Sequence, residues 1–305
     1  MPTSNFNIRV QTVDAHDTYT QFRAFAGIVE SIEMVKNEAT NNTWKGKRVI
    51  GITENTQVAV NDVITKHPLT RIAILPEETK CNTQNIVSIL IPLTRALICK
   101  WMSCRLNKSI GENIYMRTVG NEIVVLIASS LDSVIPYLQW LLIKNNKVIV
   151  YLPPSEIELD QHKATEEDYK HKFFSHAVFK PMISKIIVKR LNIDMLYENV
   201  LKLTEGIGAS AIAILPGVTQ AFKTEEVKLN RQVLLAGGMG CRIVWHQQLE
   251  QVDPCEAKCL YNKACSLGFF NFDEMLKAHC IDGIVLHALL ETVKRAIQNN
   301  IYTEI

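Results

Sequence analysis

The chain has 305 residues, 47% of them apolar, and its 33 basic and 31 acidic side chains leave a formal net charge of +2. That length accommodates two domains with sizeable cores, while the balanced charge and a pI of about 8.1 lack the basic footprint of a nucleic-acid-binding domain. No window approaches the ~20 apolar residues of a membrane-spanning helix, because the richest stretches, 86–99 and 123–149, are interrupted by Thr, Arg, Asp, Gln and Lys.

The opening Met1-Pro2-Thr3-Ser4-Asn5 shows no basic-then-apolar signal pattern, so a soluble, intracellular protein without membrane or nucleic-acid partners is expected. Residues 7–13 alternate in strand fashion. Residues 24–32 form a second strand, with Gly27 where a bulge or close backbone approach would sit. Lys45-Gly46-Lys47 is a polar turn into a third strand, 48–52, followed by strands at 57–64 and 71–75. The period then changes: Ile86, Ile89, Leu90, Leu93, Leu97 and Trp101 fall at helical spacing within 83–102. Pro92 predicts a kink there, or two shorter helices.

Beyond this point apolar strands alternate with helices. Strands are expected at 123–127, 147–152, 186–188, 209–215 and 242–245, and helices at 134–144, 195–204 and 285–299. Such alternation predicts a mainly parallel sheet covered on both faces. The charged stretch 156–172 reads as a solvated surface excursion. Eight cysteines (81, 99, 104, 241, 255, 259, 265 and 280) fit an intracellular compartment as reduced thiols. Cys255, Cys259 and Cys265, flanked by His246, His279 and Cys280, lack the two close ligand pairs of a structural zinc site. Buried or idle thiols are the default reading, and no metal is expected.

Several short segments in sequence order carry a resemblance. They are Phe25-Ala26-Gly27-Ile28-Val29-Glu30, Lys45-Gly46-Lys47-Arg48-Val49-Ile50-Gly51, Arg71-Ile72-Ala73-Ile74-Leu75-Pro76-Glu77 and Ile91-Pro92-Leu93-Thr94-Arg95-Ala96. The second half adds Gly111-Glu112-Asn113 with the strand at 123–127, then residues 199–208, Cys265-Ser266-Leu267-Gly268-Phe269-Phe270 with Asp273, and residues 289–303. In order and spacing the chain resembles the medium-chain dehydrogenase/reductase superfamily, which includes quinone reductases and synthase-type enoyl reductases. The resemblance implies a GroES-like β domain over residues 1–95 and a Rossmann-like, doubly wound parallel-sheet domain over 96–305. It also implies NADPH as cofactor and homodimerisation through an edge of the α/β sheet. Against the family, opening strands before residue 7 and a closing segment after residue 305 are missing, so the β domain is expected to be incomplete.

The family's cofactor turn is rich in glycine for physical reasons. One glycine permits a tight turn, a second lets the backbone approach the pyrophosphate, and a third lets helix pack on strand. Counting back from Val148-Ile149-Val150, the matching residues are Ser129, Ser130, Leu131, Asp132, Ser133 and Val134. Leu131, Asp132 and Val134 then take the glycine places. Counting forward from Val125-Leu126-Ile127 moves them to Asp132, Ser133 and Ile135. Side chains would fill the space a phosphate needs, and Asp132 would set a like charge beside it, costing on the order of 1–4 kcal/mol. Serine and aspartate there can instead cap the helix.

The zinc-binding branch of the family carries Gly-His-Glu where this chain has Phe22-Arg23-Ala24. Gly237-Gly238-Met239-Gly240 is read as a turn. No motif places a catalytic residue. The expectation is a catalytically degenerate reductase-like chain serving as a structural or protein-interaction module, with a protein partner or a second copy of itself and no cofactor. The alternative is an NADPH-dependent enoyl or quinone reductase with an atypical turn.

Overall fold

The first strands pair as their alternation demands. In a computed structural model described over residues 5–14, 20–33, 44–76, 82–100, 122–141, 146–153, 179–218, 222–249, 252–279 and 281–298, β1 (Asn5–Val13), β2 (Arg23–Glu33), β3 (Arg48–Thr53), β4 (Val63–Pro68) and β5 (Ile72–Ile74) form one antiparallel sheet. Its order is β4-β1-β2-β3-β5, a curled GroES-like half-barrel. Phe6, Ile8, Val10, Phe25, Val29, Val49 and Ile72 fill one side, and Arg9 pairs with Glu30 across the other. Gly27 is required by close approach: a Cβ there would lie 2.4 Å from the Arg9 carbonyl oxygen.

The strand expected at 57–64 is displaced. β4 begins at Val63, and the preceding residues turn instead: the Asn55 side chain accepts from the Gln57 amide at 3.1 Å, and the Asp62 carboxylate accepts from the Ala59 amide at 2.8 Å. Short polar side chains that satisfy the backbone locally compete with a ladder. α1 (Thr83–Ile98) runs continuously through Pro92 and buries Ile86, Val87, Ile89, Leu90, Ile91 and Leu93, so the expected division into two helices does not occur.

The second half winds as an α/β layer. Its elements are β6 (Ile123–Ile127), α2 (Leu131–Leu141), β7 (Lys147–Leu152), β8 (Ile186–Arg190), α3 (Leu196–Leu203), β9 (Ala209–Ile214), α4 (Glu226–Ala236), β10 (Gly237–Trp245), α5 (Pro254–Asn262) and β11 (Ser266–Phe269). Every pairing is parallel, in the order β11-β10-β9-β6-β7-β8. The strands are apolar without alternation because both faces of the sheet are buried. Val125, Ile127, Ile149, Ile212, Ile214, Ile243 and Trp245 build one face of the core. The winding direction reverses between β6 and β9, and in Rossmann-like folds ligands bind beyond the carboxyl ends of such strands.

Gly237 and Gly238 lie in β10 rather than in the turn expected at 237–240; of the cluster, Gly240 alone has a positive φ, at 71°. Gly238 is needed because a Cβ there would sit 2.5 Å from the Ile207 carbonyl oxygen. The stretches 156–172 and 111–113 lie outside the described residues. Among those described, no helix is long and apolar enough to cross a membrane.

The chain ends with α6 (Phe272–Lys277) and α7 (Asp282–Ile297). These belong with the first half: one compact unit comprises Met1–Ile98 and Phe272–Ile305, the other Cys99–Asn271. The closing helices thus fall outside the second domain expected over 96–305. The return is held by α7 packing on α1 and β5 and by two polar anchors. Asp273 accepts from the Thr20 hydroxyl at 2.6 Å and the Gln21 amide at 2.7 Å. Arg71 donates to the Leu276 carbonyl at 2.6 Å.

Candidate functional site at the carboxyl edge of the parallel sheet

β6 leads into α2 through Ala128, Ser129 and Ser130. The Ala128 amide donates to the Tyr151 carbonyl at 3.0 Å, and the Leu215 amide donates to the Ile127 carbonyl at 2.9 Å, closing the backbone around the switch between β6 and β9. The Ser129 hydroxyl donates to the Pro216 carbonyl at 3.2 Å, tying this turn to the loop after β9. Ser130 caps the helix, its hydroxyl oxygen accepting from the Ser133 amide at 3.4 Å, while the Ser133 hydroxyl returns to the Ser130 carbonyl at 2.7 Å. Leu131 and Val134 point into the core, 5% and 0% exposed. Asp132 is the exposed residue of the first turn, where its carboxylate complements the positive end of the helix. Of the amides of the first turn, that of Ser133 is thus met by a side chain of the chain itself.

Sequence reasoning missed a second cluster on the same edge of the sheet. β10 ends at Trp245, and the next amide, that of His246, donates to the Ile214 carbonyl at 3.1 Å. The His246 ring then lies among three side chains. Its Nε2 is 2.9 Å from the Tyr137 hydroxyl and 3.4 Å from the Cys99 sulfur. The ring also makes T-shaped contacts with Tyr137 at 5.6 Å and Phe270 at 4.9 Å between centroids. Tyr137 comes from α2 and is 5% exposed, Cys99 follows α1 and is 1% exposed, and His246 is half-buried. A phenol hydrogen-bonded to an imidazole can pass a proton, since either group is donor or acceptor according to its protonation. These residues stand too far apart in sequence for spacing to reveal them. The one available signal was a histidine placed directly after a strand of a parallel sheet.

The cysteine trio does not converge. Cys255 is exposed on α5, the Cys259 thiol faces the Leu234 carbonyl at 3.8 Å, and Cys265 sits beside Gly238 at the start of β11, its thiol 3.2 Å from the Gly238 carbonyl. His279 instead meets Arg71 and Asp282, and Cys280 lies outside the described residues. Among the described residues no three His, Cys, Asp or Glu side chains form a group able to hold a metal ion.

No protein-family model matches this sequence, and no curated protein matches it. Solved structures do. A mycobacterial quinone oxidoreductase superposes with a TM-score of 0.60 at 15% identity, over 98% of this chain and 82% of that one. An alcohol dehydrogenase superfamily protein from Novosphingobium aromaticivorans gives 0.60 at 11% identity, over 97% and 80%. A mycobacterial protein in complex with NADPH gives 0.56 at 16% identity, over 97% and 81%. The structural neighbours are medium-chain dehydrogenase/reductase proteins, and this chain has their fold.

Proposed function

We propose that this chain is a catalytically degenerate reductase-fold protein that serves as a structural or protein-interaction module and holds no dinucleotide at the turn after β6. The observation that supports this reading is the glycine-free start of α2, where side chains and the Asp132 carboxylate stand in place of bare backbone. A phosphate cradle offers free amides at a helix N-terminus and backbone without side chains. Here Ser130 takes up the Ser133 amide, Ser129 is bound to Pro216, and Asp132 adds negative charge. A phosphate would have to displace the Ser130 hydroxyl from the Ser133 amide and approach the Asp132 carboxylate.

The partner in this reading is a second copy of the chain or another protein. β11 supports this: it forms an edge of the parallel sheet, and its Phe269 is 55% exposed. A sheet edge with an apolar side chain is a template for another chain. Light scattering across a dilution series checks it; a monomer at all concentrations that also recovers no partner in pull-downs counts against the module.

The Tyr137–His246 pair favours a second reading, an NADPH-dependent enoyl or quinone reductase with an atypical turn. Thermal unfolding with and without millimolar NADPH separates the two. A ligand at about 100 times its Kd adds roughly 2.7 kcal/mol, so a flat response supports the module. Clear stabilisation overturns it, and turnover with quinone or enoyl substrates by the wild type and Tyr137→Phe then tests the second.

A further inference from the structure

The start of β11 brings two cysteines together in a way that neither reading uses. β10 and β11 are parallel and in register, Arg242 opposite Ser266, Ile243 opposite Leu267 and Trp245 opposite Phe269. Cys241 and Cys265 are the residues immediately before the first pair of this ladder. Adjacent strands lie ≈ 4.7–4.9 Å apart, inside the Cα separation that a disulfide spans. Parallel partners in register project to the same side of the sheet. Accordingly Cys241, Ile243 and Trp245 lie in one core cluster, with Cys265 and Leu267 packed against it.

The sulfurs are also close. From the point where a Cβ of Gly237 would stand, the Cys241 sulfur is 3.1 Å away and the Cys265 sulfur 3.7 Å. The absence of a side chain at Gly237 is what leaves room for them. Cys241 is fully buried, whereas Cys265 is half-buried and reachable from solvent.

We propose that Cys265 and Cys241 form an oxidant-reactive thiol pair, Cys265 being attacked first and Cys241 resolving it into a disulfide that clips edge strand β11 to β10. The co-reactant is a hydroperoxide. The Cys265 thiolate attacks its terminal oxygen, forming an S–O bond as the O–O bond breaks; the departing alkoxide takes up a proton, and Cys265 becomes a sulfenic acid. The Cys241 thiol then gives up its proton and attacks the Cys265 sulfur. The S–S bond forms as the S–O bond breaks, hydroxide leaves as water, and the pair has lost two electrons to the peroxide.

The surroundings suit this division of labour. The hydrogen bond from the Cys241 thiol, its backbone amide and the nearby Lys263 ammonium together hold the Cys265 thiol down to about 7, against the opposing effect of burial. Lys263 is fixed there, its Nζ donating to the Leu235 carbonyl at 2.6 Å and the Gly237 carbonyl at 2.9 Å. The reactive thiolate of Cys265 is thus favoured over that of an ordinary cysteine, while Cys241 stays out of contact with solvent.

The test treats the reduced full chain with hydrogen peroxide, blocks free thiols with iodoacetamide and maps peptides by mass spectrometry, which separates this pair from the other cysteines. The expected result is a peptide pair linked through Cys241 and Cys265, released by dithiothreitol. Cys241→Ser should leave Cys265 as a sulfenic acid trapped by dimedone, and Cys265→Ser should leave Cys241 unoxidised. The proposal is overturned if the wild type gives no such linked pair, or links Cys265 to Cys259 instead. It is overturned equally if Cys241 oxidises at the wild-type rate in Cys265→Ser. The wild-type map decides the matter even where a variant folds poorly.

Discussion

Replacing Arg71 with alanine should loosen the C-terminal helices from the first unit. The side chain is almost fully buried, 4% exposed, and lies over the Phe22 ring at 5.7 Å. It donates to the Leu276 carbonyl at 2.6 Å, stands 3.1 Å from His279 Nδ1 and reaches Asp282 at 3.4 Å and Glu54 at 2.8 Å. Glu54 is 56% exposed, so that pair adds at most about 1 kcal/mol. The larger loss is a buried carbonyl without its donor and a partly buried carboxylate without its guanidinium. Breaking a buried pair from one side costs about 3–5 kcal/mol. Asp282 keeps the Thr70 hydroxyl at 3.1 Å and His279 at 3.0 Å, which places the expectation near the lower limit, at about 3 kcal/mol. Arg71→Lys retains the charge and loses the fork, so it should fall between wild type and alanine. Urea unfolding gives the total, and amide hydrogen exchange shows where it is spent: α6 and α7 should lose protection before β6 and β7. A loss below about 1 kcal/mol, or protection lost evenly in both units, would refute the assignment of Arg71 as the anchor.

Two buried groups in the first unit should oppose each other with pH. His67 is pressed down to about 4 by burial, with carbonyls facing both ring nitrogens, Ile52 at 2.9 Å and Pro68 at 3.1 Å. As pH falls from 6.5 toward about 4, the unfolded chain takes up a proton that the folded chain refuses, and stability drops by roughly 3 kcal/mol. Asp14 is pushed by burial from 3.8 up to about 6, against the Ala24 amide and Arg23, so its share of stability is lost as pH rises through that window. Wild-type stability should therefore change little between about pH 4 and 6 on account of these groups, whereas His67→Gln should become less stable as pH rises there; an unchanged profile in urea titrations sinks the assignment. Ser130→Ala should cost only about 0.5 kcal/mol, because its capping bond is long at 3.4 Å; a loss above about 2 kcal/mol by the same assay means the hydroxyl does more than cap.

Much of the second unit was legible in the residues. Strands such as Ile123–Ile127 and Lys147–Leu152 are apolar throughout because parallel strands bury both faces, and this pattern is local. The turn between β6 and α2 was legible too. Its lack of glycine is a property of six adjacent residues, and the structure adds that Ser129 and Ser130 are engaged by Pro216 and Ser133. α4 and α5 escaped notice because their apolar positions are sparse: α5 buries Glu256 rather than a hydrophobic stripe, and that carboxylate accepts from Asn230 at 2.9 Å and the Asp253 amide at 2.9 Å.

What the sequence by itself determined was the kind of each layer and the absence of glycine from the turn before α2, since both follow from short-range periodicity and residue identity. Tertiary structure alone decided which distant residues meet. Arg71 opens an apolar, strand-like run, yet it fastens Leu276; Tyr137, His246 and Cys99 meet only through the tertiary fold of the second unit; Cys241 lies beside Cys265 only because β10 and β11 pair. Pairing and register are set by the whole buried surface, so no local pattern encodes them.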